Sequence, residues 1–138
     1  MGTTAIIKIK EEGKTLVTLY DTCDGDMDGK IIKDFCDGKT LVTDKGISIG
    51  SPAEEINGIG DLAVRLIIEI KRKYGDGSLN KAGGVYIDFP EDSDSFSPSY
   101  TYIVSVIDDC AFLETIYKGE STDEALDLIS VKLINLGD

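Results

Sequence analysis

The densest concentration of potential chemistry in this chain is Asp24 to Phe35, DGDMDGKIIKDF, where three carboxylates alternate with other residues and lead into a glycine. Carboxylates at every second position of a tight loop supply hard oxygen ligands. A glycine after the third lets the backbone turn sharply, and an EF-hand loop opens around calcium in this way. With Asp24 first, Asp26 is third, Asp28 fifth, Gly29 sixth and Ile31 eighth. The pattern then departs: Phe35 stands where a bidentate Glu should close the oxygen shell, and Asp34 lies one place early. Asp24, Asp26 and Asp28 are thus candidate ligands for weak calcium binding, in the range of about 10⁻⁴–10⁻³ M found in extracellular modules. The alternative is a plain Asp/Gly turn, since both residue types favour loops through backbone conformation and local hydrogen bonds.

Other chemistry is thin. The chain has no histidine, which removes the usual general base near neutral pH and every Ser-His or Cys-His pair. Cys23, Cys36 and Cys110 have no metal-ligand spacing, and buried, reduced thiols are the expectation. Asn57-Gly58-Ile59-Gly60 could present amides to an anion at a helix start. It lacks G-x-G-x-x-G spacing and carries Asp61 in the first turn. Asp108-Asp109 reads as a solvated turn between strands. No catalytic constellation emerges, and no cofactor is expected beyond weak Ca²⁺.

The charge excludes further classes. Net charge is −12; residues 1–81 hold 14 acids against 12 bases, whereas residues 82–138 hold 12 against 2, a local balance of −10. Nucleic acid is not an expected ligand, because a polyanion demands clustered Lys and Arg. The excess charge either keeps the protein soluble or calls for a basic protein partner, and an acidic face that imitates a nucleic-acid backbone is a further alternative. No run approaches the ~18 apolar residues of a membrane span, and the N-terminal residues lack a signal peptide's pattern. A cytoplasmic protein without a membrane partner is therefore expected.

The elements that must position these residues follow from periodicity. Residues 5–10 and 14–20 are β-rich runs around Glu11-Glu12-Gly13, which predicts a hairpin. Ile31, Ile32 and Phe35 at helical spacing with Gly38 as a stop predict a short helix over 30–37. One short strand is expected within 40–50. Ser51-Pro52-Ala53-Glu54 looks like a helix start. The principal helix begins near Asp61, with Leu62, Ala63, Leu66, Ile67, Ile70 and Tyr74 on one face, and Val64 and Ile68 widening it enough that a mostly buried helix is expected. Residues 85–89, 100–107 and 111–117 alternate as strands, and 91–99 is a polar connection. Ser121-Thr122-Asp123-Glu124 is a capping box that predicts a C-terminal helix. The order ββααβββα predicts an α+β domain over 1–138, with an antiparallel sheet of about five strands packed on one long helix and the C-terminal helix.

Tyr20-Asp21-Thr22-Cys23-Asp24-Gly25 followed by Gly29, Asn57-Gly58 leading into Asp61-Leu62-Ala63, and Gly83-Gly84-Val85-Tyr86 with the later Tyr100-Thr101-Tyr102 together resemble a set of small uncharacterised phage, prophage and microbial proteins. In that set the first segment carries an aromatic where this chain has Cys23. The resemblance implies no activity. It implies that Asp24-Gly25 is a turn framing the sheet, with the tyrosines on strands. The expected function is a non-enzymatic accessory or protein-interaction domain, with self-association through a sheet edge or the tyrosine face as a further expectation.

Overall fold

A computed structural model describes residues 3–22, 24–42, 55–74, 84–88 and 98–131. The chain opens with β1 (Ala5–Glu11) and β2 (Lys14–Asp21), joined at Glu12-Gly13, where both residues have positive φ. Two successive positive-φ residues match the right-handed twist of the flanking strands, so the hairpin closes without splaying. The same device recurs at Asp108-Asp109, between β6 (Tyr100–Ile107) and β7 (Cys110–Tyr117), and at Lys118-Gly119, between β7 and β8 (Glu120–Ala125).

With β5 (Val85–Asp88) these strands form a six-stranded sheet in the order β5-β2-β1-β6-β7-β8. All neighbours are antiparallel except the central pair, β1 and β6, which run parallel with Ile7 opposite Tyr102 and Ile9 opposite Val104. The sheet is therefore mixed, not the antiparallel five-stranded sheet expected. Parallel neighbours require a long crossover, and the connecting chain carries both helices. α1 (Asp28–Cys36) follows a 3₁₀ turn at Gly25–Met27, and α2 is Gly58–Tyr74. A second, three-stranded parallel sheet, β4-β3-β9, is built from β3 (Lys39–Val42), β4 (Glu55–Asn57) and β9 (Leu128–Val131).

One apolar cluster joins all of these. Ala5, Ile7 and Ile9 of β1, Tyr102, Val104 and Val106 of β6, Leu62, Leu66 and Ile70 of α2, Ile32 of α1, and Leu41 and Ile56 of the small sheet are all buried in it. Alternation places the first two sets on one face of the large sheet, where the helices cover them. Burying each of these large side chains stabilises the fold by roughly 1.5–3 kcal/mol before conformational entropy is subtracted.

Several expectations need correction. The C-terminal helix does not form: Gly119 turns the chain back, and residues 120–125 pair with β7 through contacts such as Glu120 opposite Tyr117 and Thr122 opposite Thr115. Backbone pairing along an existing strand edge outweighs a local capping preference. The Ser51–Glu54 helix start and nearly all of the 91–99 connection lie outside the described residues, while Glu55–Asn57 is a strand. Val64 and Ile68 are over half exposed, because the face of α2 that meets the core is the one carrying Ile59, Leu62, Ala63, Leu66 and Ile70. Cys36 is buried but Cys110 is exposed at the start of β7, and Cys23 is outside the described residues.

Two glycines hold the start of α1 close against the large sheet. A Cβ added to Gly25 would sit 2.6 Å from the Ala5 Cβ and 2.8 Å from the Thr4 carbonyl carbon, and one on Gly29 would meet the Tyr102 ring at 2.8 Å. Gly25→Ala is expected to destabilise the protein by about 2–3 kcal/mol, because backbone atoms cannot yield as a side chain can. Gly29→Ala should cost less, about 1 kcal/mol, since better helix propensity offsets part of the displacement of Tyr102. Urea denaturation of the two variants measures both values and their order.

Candidate functional site

The three Asp of the opening motif are placed by this packing. The Gly25 amide donates to the Thr3 carbonyl at 2.8 Å and the Met27 amide to that of Asp24 at 2.9 Å, so residues 24–27 fold into a 3₁₀ turn pressed against the start of β1. Asp24 and Asp26 remain exposed, whereas Asp28 is fully buried in the first turn of α1. Beside it, the Tyr102 phenol is pushed above its ordinary range by burial and by the Asp28 charge, against a hydrogen bond with the Gly29 backbone. The turn therefore parts the three carboxylates between solvent and core. Among the described residues, no group of three or more His, Cys, Asp or Glu side chains converges as a metal ion would require.

The helix start at Asn57-Gly58 is likewise occupied by the protein's own chemistry. The Asp61 carboxylate accepts the Asn57 amide at 2.8 Å and holds Arg65 at 3.1 Å. A carboxylate at a helix N-terminus takes the position an anion would use. Cys36 is equally withdrawn from chemistry, its thiol pushed up to about 12 by burial despite the opposing charge of Lys39.

A different constellation stands where α1 ends and β8 turns into β9. A surface cleft of about 230 Å³ is lined by Lys33, Asp34, Asp37, Ala125, Leu126 and Asp127. The Gly38 amide donates to the Asp127 carbonyl at 3.1 Å and Lys33 reaches Glu124 at 3.3 Å, so the corner is tied to α1. The Asp127 carboxyl is held above its usual range by a hydrogen bond with Asp37 and by that residue's charge. Two facing carboxylates repel each other, and an ammonium or guanidinium set between them would relieve that repulsion.

From this cleft the acidic edge runs outward. β8, ESTDEA, is an outermost strand of the large sheet and all six of its residues are exposed. Register places Asp123 beside Glu114 on the outer face and Glu120 and Glu124 on the opposite one. The carboxylates thus straddle an edge instead of converging on one face; Asp92 and Asp94 lie outside the described residues. Sequence reasoning found these acids individually but missed the Asp37–Asp127 pair, whose members are separated by most of the chain. The Lys118-Gly119 dipeptide between two polar-apolar runs was the signal for the β8 hairpin.

On the helix-covered side of the sheet, Tyr100 and Tyr102 stack at 5.7 Å between ring centroids. Tyr100 also stacks on its cross-strand neighbour Tyr117 at 4.5 Å, and the Lys118 ammonium stands 5.2 Å from the Tyr117 ring. The stack runs from the buried Tyr102 beside Asp28 out to a half-exposed ring near the β7–β8 turn. The tyrosine face is therefore mainly a core face. Among the described residues, no helix is long and apolar enough to cross a membrane.

The Asp37–Asp127 pair makes stability depend on pH in a defined direction. Because the folded state holds the Asp127 proton more firmly than the unfolded chain, the associated stabilisation is fully present below the unfolded value of about 3.9 and is lost as pH rises through the raised folded value. Asp127→Asn is expected to raise the melting temperature at neutral pH, with the gain shrinking towards pH 4. A calorimetric series across that range checks the sign. No protein-family profile, curated protein or solved structure matches this chain.

Proposed function

We propose that this protein is a non-enzymatic accessory domain that binds an extended, basic segment of another protein along β8. The observation that supports the reading is an edge strand whose six residues are all exposed and whose charged side chains, Glu120, Asp123 and Glu124, are all acidic. An edge strand offers unpaired backbone donors and acceptors, and an incoming strand satisfies them while its side chains select for charge. Acidic residues on both sides of the strand deter a second copy of the same edge and favour a segment in which Lys or Arg alternates with apolar residues. The Asp37–Asp127 cleft at the end of β8 then receives one cationic side chain, which relieves the repulsion between the two carboxylates.

The partner's recognition on this reading is electrostatic in rate and backbone-mediated in geometry. Exposed charges are screened beyond about 10 Å at 0.1 M ionic strength, so affinity should fall with added salt. A Lys-rich, β-branched peptide, titrated by calorimetry or anisotropy, is expected to bind, and its acidic counterpart is not. Glu120→Lys with Asp123→Lys should weaken binding about tenfold or more, and N-methylation of alternate peptide amides should abolish it. Binding that survives both changes would overturn the reading, as would a failure of the basic peptide to bind at low salt.

Calcium binding by the Asp24–Gly29 segment is open to the same kind of measurement. A site of about 1 mM at Asp24, Asp26 and Asp28 would add roughly 1.4 kcal/mol of stability in 10 mM calcium. With Asp28 buried away from the other two, the expected result is no change in melting temperature between chelator and calcium.

A further inference from the structure

The two edges of the large sheet differ in chemistry. β8 is blunted by carboxylates, whereas β5 opens with Val85, Tyr86 and Ile87, of which Tyr86 is 57% and Ile87 71% exposed. The two exposed side chains alternate: Ile87 lies opposite Leu19 on the helix-covered face and Tyr86 opposite Tyr20 on the other. An apolar edge strand of this kind is a template for a further strand.

The direction of its backbone groups follows from one bond. The Thr22 amide donates to the Gly84 carbonyl at 2.9 Å, one step beyond the Asp21–Val85 pair. Bonded positions alternate along an antiparallel pair, so Gly84, Tyr86 and Asp88 direct their amides and carbonyls to β2, and Val85 and Ile87 direct theirs to the open side. Lys71 agrees with this assignment, since its ammonium reaches the Val85 carbonyl from α2 at 2.8 Å and stands 5.2 Å from the Tyr86 ring. Among the described residues, no strand lies beyond β5.

We propose that β5 pairs antiparallel with β5 of a second copy, about a two-fold axis beside Tyr86, and joins the two large sheets into one. Val85 of each copy then lies opposite Ile87 of the other, and each such pair exchanges both backbone hydrogen bonds. Tyr86 faces its own copy at the closer, non-bonded position between them, where an aromatic cross-strand pair is stabilising. Ile87, the most exposed of the large hydrophobic side chains, is covered by the second copy's Val85 on the same face. A two-fold interface must be self-complementary. This edge meets the requirement in its backbone, because the outward groups lie symmetrically about Tyr86. It also meets it in charge, because Asp88 of each copy is set opposite Gly84 of the other, next to the carbonyl at which Lys71 ends. The dimer leaves β8, at the far edge, free for the basic segment.

Removing one outward amide tests the pairing. The full chain should sediment as a concentration-dependent dimer. Ile87→Pro deletes an amide that points away from β2, which an edge strand tolerates, and should sediment as a monomer with unchanged near-ultraviolet dichroism. Cysteine trapping reads the register without relying on that variant. Across the axis the two copies of residue 86 have Cα atoms about 4.5 Å apart, within disulfide reach, whereas the two copies of residue 87 are roughly 8–9 Å apart and beyond it. Tyr86→Cys should therefore form a covalent dimer with oxidised glutathione. Ile87→Cys should cross-link no more than the wild type, whose exposed Cys110 sets the background. Glu120→Lys, on the opposite edge, should leave the dimer intact. A wild type that stays monomeric at high protein concentration would overturn the proposal, as would a folded Ile87→Pro that still dimerises, or cross-linking at residue 86 that does not exceed that at residue 87.

Discussion

The approach of residues 25–29 to the middle of the large sheet is the contact from which the rest of the architecture follows. β1 and β6 lie side by side and parallel, so the chain between them must leave the sheet and return to it. The first structure built after the opening hairpin is the turn that seats α1, and it is fixed by two absent side chains: Gly25 against Ala5 and Gly29 against Tyr102. With α1 held there, α2 packs beside it, and β3 leads away from its C-terminus to nucleate the small parallel sheet. β9 completes that sheet after the chain has passed through β6, β7 and β8, so the last described strand is tied back to an element formed early in the sequence.

The same constraint explains the Asp-rich motif. Its spacing resembles a cation loop, yet the glycines are present because backbone and ring come too close for a Cβ, and the helix that starts at Asp28 carries that carboxylate inward. The Asp residues diverge because the chain there changes from a 3₁₀ turn into an α-helix, not into an encircling loop. An acidic chain has then placed much of its charge where repulsion is cheapest, on an outer strand and on turns exposed to water.

Local pattern revealed much of this fold and little of its pairing. The hairpin of β1 and β2, the helix after the acidic loop, α2 and the alternation of β6 and β7 all follow from short-range periodicity, which needs only neighbouring residues. The parallel β1–β6 pair and the β3–β9 pair bring together segments about 90 residues apart, and no local signal encodes them. β8 shows the reverse failure: ESTDEA has the composition of a helix start, and only the adjacent edge of β7 makes it a strand. For the site, the acids were visible one by one, but the Asp37–Asp127 pair depends on β8 and β9 bending at Leu126 beside the end of α1.

The tyrosine stack has an optical consequence. The chain contains six tyrosines and no tryptophan, and half of its tyrosines are in contact through the rings of residues 102, 100 and 117. Rings stacked at 4.5 and 5.7 Å couple their electronic transitions and pass excitation along the row. The coupled part of the near-ultraviolet dichroism is therefore a local signal from the β6–β7 ladder, superposed on the separate contributions of the other three tyrosines. Separation of those two strands would be visible without any attached label as loss of the ring coupling, a change that events at α2 or the small sheet do not produce because they contribute no ring to the stack.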